Sequence, residues 1–224
     1  MVSALFYKEW IKTRRIIFLI GIMLAAIFIY TLVNTEQVFR ISGHVQVWSN
    51  IILKDASILP DIAKWFPLFA GILLGLVQFI PEMTDKRLKL TLHLPLPESK
   101  IILLMLLYGI VVLFAVYFLM YAILSVVLSF YYASEIIASM TWQVSPYVLG
   151  GLISYIFAAW ICLEPLWRLR IFNALTAICG LYLFFMDAKQ GAYMTFLPYL
   201  VVIVIAGFCF PFYSAARFKD GAQK

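Results

Sequence analysis

Apolar residues in this chain fall in long unbroken runs separated by short polar segments. Strict alternation, the mark of a half-buried strand, is missing from those runs, and so is the one-sided stripe of a surface helix. The runs cover residues 16–33, 62–80, 101–130, 147–163, 171–186 and 193–213. Crossing hydrocarbon takes about 20 apolar residues in a helix, with a range of about 17 to 25. The third run is long enough to tilt or to project beyond the bilayer. The fifth is short, and reads either as a tilted helix or as one arm of a re-entrant hairpin with 192–197. In lipid, every backbone N–H and C=O must be paired within the structure, which only helices and closed barrels achieve. Barrel strands alternate over about 10 residues each, so continuous runs exclude them. The pattern predicts an all-α integral membrane protein with six transmembrane helices, forming one domain over 1–224.

The polar segments between the runs add detail. Residues 2–15 predict an interfacial helix, with Lys8, Lys12 and Arg15 on one face and Phe6 and Trp10 roughly opposite. Residues 34–61 predict the one sizeable outer loop, in which Val45, Trp48, Ile51 and Ile52 recur at helical spacing. Further outer loops are expected at 131–146 and 187–192. Within 81–100, Leu88, Leu90, Leu92, Leu94 and Leu96 alternate with other residues, which by period alone argues for a strand. A lone strand at a membrane surface would leave its edges unpaired. A helix of about ten residues ending before Pro95 is the better reading.

Composition fits the pattern. The chain is 65% hydrophobic and 12% charged, against about 25% charged in a soluble domain. Its net charge of +6 comes from basic residues that cluster beside the apolar runs, where they orient the chain and meet anionic headgroups. No separate basic domain exists to carry nucleic acid. Thirteen Lys and Arg fall in the N-terminus, 81–100, Arg168 with Arg170, and the C-terminus, while four (Arg40, Lys54, Lys64, Lys189) fall in the other loops. Positive-inside puts both termini in the cytoplasm, and the location expected for the chain is a plasma or bacterial inner membrane. The first run lacks a small-residue cleavage site after it, so it is expected to stay as an anchor. Cys162, Cys179 and Cys209 lie inside apolar runs without CxxC spacing, which suggests free thiols.

The runs themselves are almost free of ionisable side chains. Glu82, Glu164 and Asp187 stand at run ends. A charge at mid-bilayer costs at least about 2.5 kcal/mol and usually marks an ion or proton path, so coupled ion transport is disfavoured. No Ser-His-Asp set, HExxH or phosphate-binding loop is present, and neither catalysis nor a cofactor is expected. Hydroxyl-bearing residues such as Tyr117, Tyr121 and Ser125 are candidate pathway lining; Tyr117 and Tyr121 stand one turn apart. Such a lining suits an amphipathic or lipid-like cargo, and the same residues serve equally as bonds between helices.

Three segments together resemble the type-2 permease family of ATP-binding-cassette transporters. They are the basic N-terminus Leu5–Arg15, Glu82 followed by Leu90-Thr91-Leu92-His93-Leu94-Pro95-Leu96-Pro97, and the basic tail Tyr213–Asp220. Lys86-Arg87-Leu88-Lys89 stands where the family usually has a glycine after its glutamate and arginine. The resemblance implies a pair of permeases bound to two cytoplasmic ATPase subunits, with 82–98 as a coupling helix docked into each. Glu82, Arg87, Leu90 and Leu94 would carry that coupling. Glu82 would cap the helix or pair with Arg87, and the leucines would fill a groove on the ATPase. Hydrolysis would belong to that separate chain, and the first and fifth spans would lie near the permease seam. The other reading of the same layout is a membrane scaffold or assembly subunit that moves no cargo.

Overall fold

A computed structural model describes residues 2–54, 61–84, 97–186 and 192–219. The described residues are helical apart from short connections, and no strand occurs among them. The helices are α1 (Val2–Lys54), α2 (Asp61–Thr84), α3 (Glu98–Leu128), α4 (Ser134–Leu163), α5 (Trp167–Tyr182), α6 (Ala192–Gly207) and α7 (Cys209–Lys219). Five stretches are long and apolar enough to cross a membrane: Val2–Gly43, Ile62–Thr84, Glu98–Leu128, Ser134–Leu163 and Thr195–Phe218. Their outward faces carry large apolar side chains, among them Phe18, Ile29, Phe114, Phe118 and Ile205, the inverse of a water-facing surface. These are the features of a membrane-embedded, multi-pass helical protein.

Several boundaries differ from the sequence reading. The N-terminal segment is not a separate interfacial helix. Nothing between Val2 and Gly43 breaks the helix, and Leu5, Glu9 and Thr13 are buried one turn apart. The expected outer loop at 34–61 is helical as far as Lys54, bent at Gly43, whose φ of 72° lies in the left-handed region that glycine tolerates. The fourth helix begins at Ser134 and passes through Pro146. That proline withdraws the N–H that would reach the Trp142 carbonyl, and Ser145 Oγ donates to the same carbonyl at 2.8 Å. Conversely, the last run is divided. Pro211 cannot donate to the Gly207 carbonyl four residues back, and the helix is interrupted between Gly207 and Cys209.

The core is the seam between α2 and α4, which run parallel. Pro67 meets Gly151, Gly71 meets Gly151 and Ser154, and Gly75 meets Ala158. A Cβ on Gly71 would run into the Gly151 carbonyl and the Ser154 hydroxyl, and one on Gly75 would lie 2.7 Å from the Ala158 Cβ. Between lipid-embedded helices close approach of this kind supplies the packing that hydrophobic burial cannot. Buried polar groups add direction. Tyr155 Oη donates to Gln78 Oε1 at 2.8 Å, and Gln78 Nε2 donates to the Met105 carbonyl at 2.9 Å, tying α4, α2 and α3 together.

α5 has 16 residues and is about 24 Å long. It descends beside α4 from Arg170, bonded to the Glu164 carbonyl, to Gly180 against Phe157. The turn after it brings Phe185 onto Trp65 at 5.1 Å and Tyr147 at 5.6 Å. It thus covers nearly the depth of α2. Tyr193 Oη then donates to the Leu183 and Met186 carbonyls, each at 3.1 Å, fixing the start of α6 on the end of α5.

Candidate functional site

Every basic segment of the larger set that the structure describes comes to one end of the bundle. Gathered there are the start of α1, the last turn of α2, the start of α3, the α4–α5 corner and α7. Two buried clusters, one around the carboxylates of Glu9 and Glu82 and one around that of Glu164, hold these pieces together.

The first cluster begins from a conflict inside α2. Glu82 is fully buried in the last turn of that helix, where the macrodipole is negative and no basic residue of α2 offsets it. Compensation comes from α1. Lys8 and Lys12, one turn apart, place their ammonium groups 3.0 and 2.9 Å from Glu82 Oε1. Lys12 also lies 2.9 Å from Glu9 Oε2 and donates to Glu9 Oε1 at 3.1 Å, and Glu9 too is fully buried. One nearly buried lysine therefore serves two carboxylates. Glu82 Oε2 has no hydrogen-bond partner, and Glu9 Oε2 has the ion pair without hydrogen-bond geometry. Beneath them Thr13 Oγ donates to the Glu9 carbonyl at 2.9 Å. The threonine proton being used there, Tyr108 Oη is the donor in its 2.7 Å contact with Thr13 Oγ. Phe6 packs edge-on against the Tyr108 ring at 5.7 Å. The result fixes α1 to α2 and α3 immediately before residues 85–96.

The second cluster surrounds Glu164, buried at the end of α4. Ser214 Oγ of α7 donates to Glu164 Oε2 at 2.7 Å, and Arg170 of α5 donates to the Glu164 carbonyl at 2.7 and 3.3 Å. Arg217 of α7 lies 3.6 Å from Glu164 Oε1, an ion pair longer than a hydrogen bond, and that oxygen has no hydrogen-bond donor.

Of the sequence-derived candidates, Glu82 sits in the first cluster, with α1 lysines as its partners. Arg87, Leu90 and Leu94 lie outside the described residues, and the coupling helix with them. Tyr117 is buried, and its hydroxyl donates to the Pro67 carbonyl at 2.7 Å, a bond between α3 and α2. Ser125 Oγ donates back to the Tyr121 and Ala122 carbonyls of its own helix. The sequence reading missed Glu9 as a buried member of the cluster. Its signal was the spacing Leu5, Glu9, Thr13, which turns one face inward at i, i+4. Among the described residues no group of three or more His, Cys, Asp and Glu could hold a metal ion. What the two clusters supply is charges and hydrogen bonds that hold helices together at one end.

No protein-family model matches the chain, and neither does any curated protein or solved structure.

Proposed function

We propose that this chain is the permease subunit of an ATP-binding-cassette transporter. It has six spans and cytoplasmic termini, and exports a lipophilic or amphipathic cargo driven by a separate ATPase. The supporting observation is the bond of Lys8 and Lys12 to Glu82. It joins the basic N-terminal helix to the last turn of α2, directly before the leucine-rich segment that the family resemblance makes the ATPase contact. A displacement delivered there reaches α1 and α2 together, and α4 through the glycine-lined seam. Two permeases rocking about a shared interface would convert it into alternating access. Tyr121 and Ser125, both partly buried, would border the pathway between copies. The sixth span would be α5, short but equal in reach to most of α2.

A scaffold that moves no cargo is the second reading, favoured by the use of Tyr117 in a bond between helices. Transport of a fluorescent lipid analogue in vesicles holding the complex separates the two.

The coupling claim is tested by replacing Leu90 and Leu94 with Asp. Burial of each leucine on a partner is worth about 1.5 to 3 kcal/mol, so the double variant should insert normally and lose the ATPase. Tagged chain extracted from its native membrane in mild detergent provides the assay, with co-purification of an ATPase and its turnover as readouts. Retention of both by the variant would end the coupling claim.

A further inference from the structure

We propose that Glu164 is the positioning residue for the C-terminal helix α7, holding it across both flanks of residues 85–96, with the break at Phe208 as its hinge. The inference is independent of the transporter reading.

Its first ground is where α7 lies. Phe218 shares a pocket with Met83 and Thr84 at the end of α2, and with Pro165 and Arg170 at the α4–α5 corner. Phe212, Tyr213, Ala215 and Ala216 share another with Glu98, Ser99 and Ile102 at the start of α3. An 11-residue helix thus faces, across two pockets, the end of α2 and the start of α3.

The second ground is how α7 is held. Ser214 is fully buried and gives its proton to Glu164 Oε2. Arg217 reaches toward the other oxygen but stops at 3.6 Å. One oxygen is thus satisfied and the other lacks a donor. Arg217 adds charge to the contact without a hydrogen bond. Arg170, bonded to the Glu164 carbonyl, fixes the acceptor side through α5.

The third ground is the hinge. α6 and α7 are separated at Phe208, whose N–H donates to the Ile205 carbonyl at 3.2 Å. Pro211 cannot restore the lost rung to Gly207, so a backbone tie between α6 and α7 is missing at this point. Hinge and catch are encoded in separate residues, and each can be altered alone.

Spin labels on Ser99→Cys and Ala216→Cys, both exposed positions, report the docking of α7. The background lacks Cys162, Cys179 and Cys209, and the protein is reconstituted in lipid nanodiscs. Pulsed electron–electron distances should give one short, narrow peak in the parent. Glu164→Gln weakens a charge-assisted bond and an ion pair, and should lower the docked-to-undocked ratio roughly tenfold to hundredfold, adding a longer, broader component. Ser214→Ala, a milder change, should do the same to a smaller extent. Adding Pro211→Ala to Glu164→Gln restores the missing donor, joins α6 to α7, and should return the single narrow peak. General loosening of the fold would not be reversed by that third change. An unchanged distribution in both Glu164→Gln and Ser214→Ala overturns the catch, and failure of Pro211→Ala to narrow the distribution overturns the hinge.

Discussion

Removing Lys12 should destabilise the protein far more than removing Lys8, although both contact the same oxygen of Glu82. Lys8 is 39% exposed and its ammonium can return to solvent, whereas Lys12 is 13% exposed and stands between two buried carboxylates. In Lys8→Met, Glu82 keeps Lys12. The loss is that of a partly solvated pair, about 1 kcal/mol or less. In Lys12→Met, Glu9 loses the ammonium group 2.9 Å from its Oε2 and faces Glu82 across the gap, with Lys8 as the nearest cation left. Breaking a buried pair from one side costs about 3 to 5 kcal/mol, roughly a 10²- to 10⁴-fold fall in the folding constant. Equilibrium unfolding in mixed detergent micelles, followed by tryptophan fluorescence, reads both losses. The triple change Glu9→Gln, Lys12→Met and Glu82→Gln removes the buried charges together and should recover most of the stability, because neutral replacement of a buried ion pair is often harmless. Equal losses for the two lysines, or a triple variant no better than Lys12→Met, would refute the shared-lysine account.

The glycines give a second contrast. Gly71→Ala places a methyl group against the Gly151 carbonyl and Ser154 and should cost about 1 to 3 kcal/mol, whereas Gly21, with nothing within 4 Å of its added Cβ, should accept alanine with no loss; the same unfolding assay compares them. Orientation is tested by impermeant thiol labelling of Ser99→Cys and Ala216→Cys in the cysteine-free background, since Ser214 is buried and would not react. Both are expected to label from the cytoplasmic side alone, and labelling from outside would reverse the topology.

The runs that span the membrane were legible because in lipid an unbroken apolar length decides the outcome almost by itself. Helix ends were not legible in the same way. Residues 34–54 and 134–146 are polar enough to read as loops, yet Phe39 stacks on Tyr131 and Tyr132, and Val144 and Met140 are buried, so packing beyond the spans extends both helices. Glu82 stood out in the sequence as the acid ending a span. Both roles expected for it, capping the following helix or pairing with Arg87, fall on residues outside those described. Lys12, which does meet it, lies 70 residues away in the chain, and only the fold brings it close. The spacing Gly71-x-x-x-Gly75 marks the α2 side of the seam and was overlooked in the sequence reading, which found no GxxxG face. The small residues that answer it, Gly151, Ser154 and Ala158, are scattered among apolar neighbours, and their match to α2 emerges only from register. Tyr117 and Tyr121 were rightly one turn apart, but no periodicity reveals that the Tyr117 hydroxyl ends on Pro67.

The distribution of bond types along the bundle follows from where each is tolerable. Ionised side chains are costly at mid-bilayer, and the α2–α4 seam accordingly uses glycine contact with the Tyr155–Gln78 and Tyr117–Pro67 hydrogen bonds. Glu9, Glu82 and Glu164 all gather at the end where α1 begins, and each is met by a side chain from another turn or another helix. The opposite end is joined by rings: Trp65 on Phe185, Tyr147 on Phe185, and Phe39 on Tyr131 and Tyr132. Aromatic pairs contribute about 0.5 to 1.5 kcal/mol each beyond the area they bury. Removing one partner of a buried charge pair costs several times that. The end where α1 begins is thus held by bonds that cost more to break than those at the ring-packed end, because each buried carboxylate there depends on a partner from another turn or helix.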